Sequence, residues 1–548
     1  MTDAALPADG APKGPSQPQS TTPKPPTTAG APGAPAQVDW TKLFLGFGAM
    51  VIGQFMAILD IQIVAASLPQ IQAGVGASTD QVSWIQTAYL IPEVVMIPLS
   101  GYLSRLWGTQ KLYLASCLGF IVMSVLTGLS SSIDTMIITR ALQGFIGGAM
   151  IPTVFAVAFT AFPPERRVTA SVIMGLIVTL APTVGPTLGG HLTEALNWRW
   201  LFFINVPTGI IVLFGVARWG EFDKGDPSLA KGFDWFGLAV MATFLMSMQF
   251  VLEEGAKDDW FDDSGILWLT VLAVLGGATF IWRQLTYKNP IVELRAFANR
   301  NFAVGVAMTA VSGASLFGGT FLLPQFLGRV RQYSASEVGT TMVVSGLSMF
   351  ATGPLAGRLV RKMDPRIPMC IGFLLAGFGM YMAHGVTKDW GFWEFAGVQA
   401  CRGVGVMIAM IATQQITMST LPPQMVKNAS GLVNLSRNTG GAIGLALLAT
   451  SITQQTALYY NDLSSKMTQG GAAAGMMTGL AQRMTQLGVV NPEGAANKAI
   501  GGMLQQQATV LAFGDSFTVL AIGCFIAAGV SLLAAPVKNA PPPPSDAH

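Results

Sequence analysis

Thr139-Arg140-Ala141-Leu142-Gln143-Gly144-Phe145-Ile146-Gly147-Gly148-Ala149-Met150 puts a guanidinium inside an apolar run that extends from Ile133 to Ala161. Crossing a bilayer takes about 20 residues, and an arginine inside a span costs on the order of 2.5 kcal/mol or more unless it is paired or wetted. Arg140 is therefore read as a functional residue. The next apolar run, Val168 to Leu192, carries Gly175, Pro182, Gly185, Pro186, Gly189 and Gly190. Its backbone is bent by proline and bare of side chains where another helix can approach. One run holds a charge, and its neighbour is built to move.

Charged residues make up 11% of the chain, against roughly 25% in soluble domains, and hydrophobic residues 51%. This is the composition of an all-α membrane protein whose solvent is the lipid bilayer. The 31 Lys and Arg nearly cancel the 28 Asp and Glu, so there is no basic field for nucleic acid. Cys117, Cys370, Cys401 and Cys524 lie in apolar runs without metal spacing and read as free thiols, and three histidines are too few for a metal cluster. No dinucleotide fingerprint, phosphate loop or nucleophile elbow occurs, so neither a cofactor nor an enzymatic activity is expected.

Fourteen apolar runs follow one another between 43 and 536. With the N-terminus inside, 20 of the 31 Lys and Arg fall in inner segments, 8 in outer ones, and Arg140, Arg402 and Arg437 lie within spans. That bias predicts cytoplasmic termini. Residues 1–38 are rich in Pro, Ala, Gly, Thr and Ser and read as a disordered cytoplasmic tail, as does 538–548. The outer connection after the seventh run, which holds Glu253, Glu254, Asp258, Asp259, Asp262 and Asp263, says little about topology.

The chain repeats itself. Leu68-Pro69-Gln70 returns as Leu323-Pro324-Gln325, and Ala170-Ser171 returns as Ala429-Ser430. Pro98-Leu99-Ser100-Gly101-Tyr102-Leu103-Ser104-Arg105 returns as Pro354-Leu355-Ala356-Gly357-Arg358-Leu359-Val360-Arg361, and Arg140 as Arg402. Runs one to six and nine to fourteen therefore read as parallel six-helix halves with two helices inserted between them, the arrangement expected when substrate binds between rocking halves. The predicted boundaries are 39–220 for the first half, 221–296 for the insert and its linkers, and 297–537 for the second half, including a long outer loop at 453–513.

Four stretches resemble the major facilitator superfamily, and within it the fourteen-span drug/proton antiporters of the EmrB/QacA kind, over about 40–537. They are Leu59-Asp60-Ile61-Gln62-Ile63-Val64, Arg140-Ala141-Leu142-Gln143-Gly144, Pro182-Thr183-Val184-Gly185-Pro186-Thr187-Leu188-Gly189-Gly190 and the more specific Asn197-Trp198-Arg199-Trp200-Leu201-Phe202-Phe203-Ile204-Asn205-Val206-Pro207-Thr208-Gly209. The resemblance implies a major facilitator fold with 14 transmembrane helices, and it makes the Gly and Pro run the conformational motif. Gly101, Arg105 and Gly108, with Gly357 and Arg361, match its loop motif. Most of the superfamily carries Asp where Arg105 and Arg361 stand here.

Helical rise puts Asp60 and Arg140 both roughly 10 Å below the outer surface, in helices of one half, and puts Glu93 near the midplane. An arginine nearby favours the carboxylate and burial favours the acid, so Asp60 and Glu93 are the candidate proton carriers, with Arg140 as the coupling partner. The bland alternatives are an arginine that ties carbonyls of broken helices, a packing pair at Asp60 and a merely wetted Glu93. Arg402 and Arg437 read as structural.

The reading is a proton-driven exporter of amphipathic, drug-like compounds across a bacterial inner membrane by alternating access. A same-fold exporter of one metabolite, such as a siderophore or fatty acid, stays open. A non-transporting membrane sensor or scaffold leaves Asp60 and Arg140 at one depth unexplained. In double-membraned bacteria the resemblance implies a periplasmic adaptor and an outer-membrane channel as partners, and 453–513 is the sizeable outward surface to receive them. Its excess of Gln, Met, Gly and Ala allows amphipathic helices, with a few helical turns at most in the Ala-, Gly- and Met-rich part, and a linker that lets the last span re-enter explains its length equally well.

Overall fold

In the computed structural model, residues 39–78, 81–469 and 472–537 are described. They form helices with short connections and no strand among them. The sequence-based readings of the two tails at 1–38 and 538–548, Lys13, Lys24 and Lys538 included, lie outside the described residues.

The first stretch runs through α1 (Trp40–Ala66), α2 (Leu68–Val75), α3 (Trp84–Trp107), α4 (Thr109–Gly128), α5 (Ile133–Gly147), α6 (Met150–Thr160), α7 (Pro164–Ala195), α8 (Trp200–Phe203) and α9 (Asn205–Trp219). Then come α10 (Trp235–Glu254) and α11 (Ser264–Thr286). The last stretch holds α12 (Arg300–Val330), α13 (Ala335–Lys362), α14 (Arg366–Tyr381), α15 (Phe392–Ser419), α16 (Pro423–Gln469), α17 (Ala472–Gln486) and α18 (Pro492–Ser531). Among the described residues, 11 helical segments are long and apolar enough to cross a membrane, with α5 and α6 counted together as Ile133–Thr160 and α8 and α9 as Trp200–Trp219.

Helix starts follow local chemistry. Ser132 and Thr135 cap α5 reciprocally, as Ser334 and Glu337 cap α13, so the first free N–H groups are satisfied by side chains. Asp234 caps α10 and also takes Arg283 of α11 at 2.9 Å, which ties the start of α10 to the end of α11. Gly108, with φ +86°, makes the turn between α3 and α4, where a Cβ would come within 3.0 Å of the Gly225 backbone nitrogen. Only glycine suits that turn.

Two close crossings set the geometry of the site. Gly144 brings α5 onto the carbonyl of Tyr89 in α3, and a Cβ at Gly148 would lie 2.9 Å from the Glu93 carbonyl oxygen. On α13, Gly339, Gly346 and Gly353 recur every seven residues and face Thr187, Thr183 and Leu176 of α7, while Gly357 faces Val172. A seven-residue period keeps one face of a helix turned toward its partner.

The segment 453–513, read from sequence as a long outer connection able to form amphipathic helices, is largely helical. Residues 453–469 continue α16 without a break, α17 follows, and 492–513 open α18. The cause is helix-forming composition held by side-chain ties: Tyr459 donates to Asp515 across to α18 at 2.6 Å, and Lys466 pairs with Asp462 at 2.6 Å, the favourable order of acid before base four residues apart. The end of α16 and the start of α18 thus form a helical hairpin of about five turns, and the Ala-, Gly- and Met-rich part is α17, about four turns long.

Candidate functional site

Asp60 and Arg140 form an ion pair at 2.6 Å with neither side chain exposed to solvent. The local reason is the Gly144 crossing: one turn before it, Arg140 lies against α3 and donates through Nε to the Ile85 carbonyl oxygen at 3.2 Å. Its Nη1 donates to Asp60 Oδ2 and, at 3.0 Å, to Gln143 Oε1. The second Asp60 oxygen accepts from Asn205 Nδ2 at 2.7 Å and Gln143 Nε2 at 3.3 Å, and Asn205 is held in turn by Ser124 at 2.9 Å. The guanidinium lies 4.6 Å from the Tyr89 ring centroid. One Arg140 nitrogen, Nη2, is buried without a described partner. The Asp60 carboxylate thus accepts from three side-chain donors, one on Oδ2 and two on Oδ1. The carbonyl tie to Ile85 also gives Arg140 the bland role that sequence allows it, beside the ion pair.

Next to this network is a cavity of about 570 Å³. Ile58, Ile61 and Gln62 of α1 line it, so Asp60 points the other way, into the packing of α1, α5 and α9. Glu93 lines it directly, is only 2% exposed, and accepts no hydrogen bond from the described residues. Arg437 of α16 lines it too, held by Asn434 and placed with its guanidinium 5.2 Å from the Phe155 ring centroid. The remaining wall is largely apolar, including Leu90, Val178, Leu316, Phe317, Phe321 and Met342. Drug-sized ligands occupy cavities of roughly 300–1,000 Å³ of this mixed kind.

The conformational motif divides. Pro182 and Pro186 line the cavity, and α7 runs through both without a break. A Cβ at Gly185 would lie 2.7 Å from Gln62 Cβ, and at Gly189 2.9 Å from the Ile63 carbonyl oxygen, so these two glycines seat α7 on α1. Gly175 faces Met410 and Met407 of α15, while Gly190 has nothing within 4 Å.

The loop motif sits at the other end of the helices. Gly101 lies under the backbone of Lys427 and Asn428, Arg105 lies 5.4 Å from the Tyr102 ring centroid, and Arg361 donates to Thr169 Oγ1 at 3.3 Å. A carboxylate close to this motif comes from the connection after α9. Asp223 accepts from the Thr109 backbone N–H and hydroxyl, each at 2.7 Å, and pairs with Lys427 of α16. Arg402, the repeat counterpart of Arg140, has Gln399 at 3.0 Å and Ser345 at 2.7 Å and no carboxylate in hydrogen-bonding reach among the described residues.

Sequence reading gave no role to Gln143, Asn205 and Asp223, and it read Arg437 as structural without placing it on the cavity. Gln143 stands three residues after Arg140, on the same helix face, so a signal existed. Asn205 is a polar residue within an apolar run. Nothing local points to Asp223 or to Arg437's place on the cavity.

A family model described as Major Facilitator Superfamily matches residues 50–445. The chain is 38% identical over 503 residues to a colistin resistance protein of Acinetobacter baumannii, covering 91% of this chain and 96% of that one. It is 31% identical to a multidrug export protein of Escherichia coli, covering 76% and 82%, and 29% identical to a fatty acid resistance protein of Neisseria gonorrhoeae, covering 88% and 93%. Among solved structures it shares a fold with the human organic anion transporter MFSD10 at a TM-score of 0.55 and 12% identity, covering 88% of this chain and 99% of that one.

Proposed function

The chain belongs to the major facilitator superfamily of membrane transporters, and from that premise we propose that it exports amphipathic compounds across a bacterial inner membrane in exchange for protons. The observation that carries this reading is the 570 Å³ cavity holding Glu93, a buried carboxylate with no described hydrogen bond, beside the sealed Asp60–Arg140 pair. Apolar walls suit varied hydrophobic bodies, and a carboxylate open to the cavity is placed to exchange a proton for a substrate. The relatives named for multidrug export and for colistin resistance favour a broad range. One proton returning down about 100 mV supplies about 2.3 kcal/mol, and each pH unit adds about 1.4, enough for tenfold or larger gradients without ATP.

In this reading fourteen helices cross the membrane: the 11 apolar segments together with α3, α14 and the first part of α16. Residues 39–220 and 297–537 are six-helix halves, 221–296 is the insert, and both termini are cytoplasmic. The Asp223–Lys427 pair, between insert and second half, and the Arg361–Thr169 bond, between the two halves, support reading this end as the cytoplasmic one, held closed. A panel of unrelated amphipaths in proteoliposomes with an imposed pH gradient tests the proposal. Export of several supports it, export of a single fatty acid favours the dedicated reading suggested by the gonococcal relative, and no gradient-dependent movement of any overturns it.

Arg140→Lys is expected to lower pH-driven transport about tenfold with normal yield, since lysine keeps the charge but has no planar fork for Asp60, Gln143 and Ile85 together. A wild-type rate in that assay would leave Arg140 a packing role only.

The projecting hairpin of α16 and α18 is the proposed seat of a periplasmic adaptor that leads to an outer-membrane channel. A hollow of about 720 Å³ at its base is lined by Arg329, Gln332, Thr456, Tyr460 and Gln505. Deleting 465–500 joins helices that already approach each other at Tyr460 and Gly501. Loss of whole-cell resistance with liposome transport intact is the expected outcome. Survival of both would make the hairpin a mere connection.

A further inference from the structure

We propose that the inserted helix α10 is a wall of the transport path, and that its Glu253, backed by Gln249, binds the cationic centre of an amphipathic substrate near the outer mouth. The inference rests on the exporter reading and adds a role for a segment that the six-helix repeat leaves over. Gln249 and Glu253 both line the 570 Å³ cavity, although α10 belongs to neither half.

The outer end of α10 is fixed from both sides. Glu254 Oε1 accepts from the Thr87 hydroxyl of α3 at 2.8 Å, and just beyond the helix Trp260 Nε1 donates to the Thr450 hydroxyl of α16 at 2.9 Å. The insert therefore touches the first half through Thr87 and the second through Thr450, and spans the gap between α3 and α16. These ties set which of the two adjacent carboxylates serves the cavity. Glu254 is taken up by Thr87 and by Lys257 at 2.7 Å, whereas among the described residues Glu253 has as hydrogen-bond partner only the neutral amide of Gln249 at 2.9 Å. The other end of that amide, Gln249 Oε1, is buried and has no described partner. A carboxylate at the cavity wall, with an unpaired carbonyl oxygen buried one turn behind it, thus offers acceptors only, the arrangement that suits an ammonium or other organic cation rather than an anion.

Depth separates this subsite from the rest of the site. Thr87, bonded to Glu254, precedes Glu93 by six residues on α3, so Glu253 lies about 9 Å outward of Glu93. Arg437 lies thirteen residues inward of Thr450 on α16, about 20 Å along the helix, and its guanidinium is engaged by Asn434 and the Phe155 ring. The mouth is acidic and the floor holds the cavity's arginine. A substrate cation can sit on Glu253 while Glu93 remains free to carry a proton.

The test is equilibrium binding of tetraphenylphosphonium to the purified full chain and to Glu253→Gln, with the neutral amphipath N-phenyl-1-naphthylamine as the probe of an intact cavity, and pH-driven export of tetraphenylphosphonium measured in parallel. Losing one charge-assisted contact is expected to weaken binding of the cation about tenfold in the variant, with binding of the neutral probe preserved. Equal affinity of the two proteins for the cation, equal weakening of both probes, or no binding of the cation to the wild type overturns the subsite. Glu253-dependent binding without any export by the wild type leaves the subsite standing and overturns the exporter reading instead.

Discussion

Asp60→Asn is expected to bring pH-driven export down to the level of empty liposomes while energy-independent substrate counterflow persists. The amide keeps the size of the carboxylate and can still accept one of the bonds now made by Asn205, Gln143 and Arg140, but it cannot take up or release a proton. Counterflow needs only the rocking of the loaded cavity, and Asp60 does not line that cavity. Leaving Arg140 buried without its anion destabilises the protein, by about 3–5 kcal/mol if the pair behaves as other buried pairs do. Thermal unfolding in detergent is therefore followed alongside transport. Asp60→Glu is the companion variant: it keeps the titratable group, and gradient-driven export at a reduced rate is expected. Normal gradient-driven export by Asp60→Asn would remove Asp60 from the coupling machinery, whatever happens to stability.

The second large effect is steric. Gly185→Leu and Gly189→Leu are each expected to stop turnover, because the first added atom would already lie under 3.0 Å from α1, at Gln62 Cβ and the Ile63 carbonyl oxygen respectively. Backbone cannot move aside as a side-chain tip can, so the two helices must separate, and overpacking of this kind costs about 1–3 kcal/mol. Gly190→Ala is the control from the same motif, since nothing lies within 4 Å of its added atom, and a near wild-type rate is expected. Turnover counted per folded transporter in proteoliposomes reads the difference. Equal rates in all three variants would mean that the α1–α7 contact plays no part in the cycle.

Much of the architecture is legible in the chain because a bilayer imposes length and polarity on every crossing segment. The contact of Asp60 with Arg140 is legible for the same reason: two charges at one depth in neighbouring apolar helices have few other places to go. The polar company around them is only half legible. Gln143 follows from helical spacing, but Asn205 reaches Asp60 through the packing of α9, which no local pattern states. The assignment of Glu253 rather than Glu254 to the cavity is hidden for a related reason: which face of α10 turns inward depends on Thr87 and Thr450, 167 and 190 residues from their partners. Composition allows helices in 453–513, but their pairing through Tyr459 and Asp515 is a contact across 56 residues that no local pattern states.

The uninterrupted course of α16 has a mechanical consequence. Within one rod lie Lys427 at the closed end, Arg437 on the cavity, Thr450 at the mouth and Tyr459 in the projecting hairpin. A helix of 47 residues is about 70 Å long, so a tilt of about ten degrees around its middle swings each end by about 6 Å. The helix is then a lever arm. In the proposed exporter, opening the ion pair at one end would displace the tip at the other, and an adaptor resting on that tip would feel each stroke without meeting the substrate.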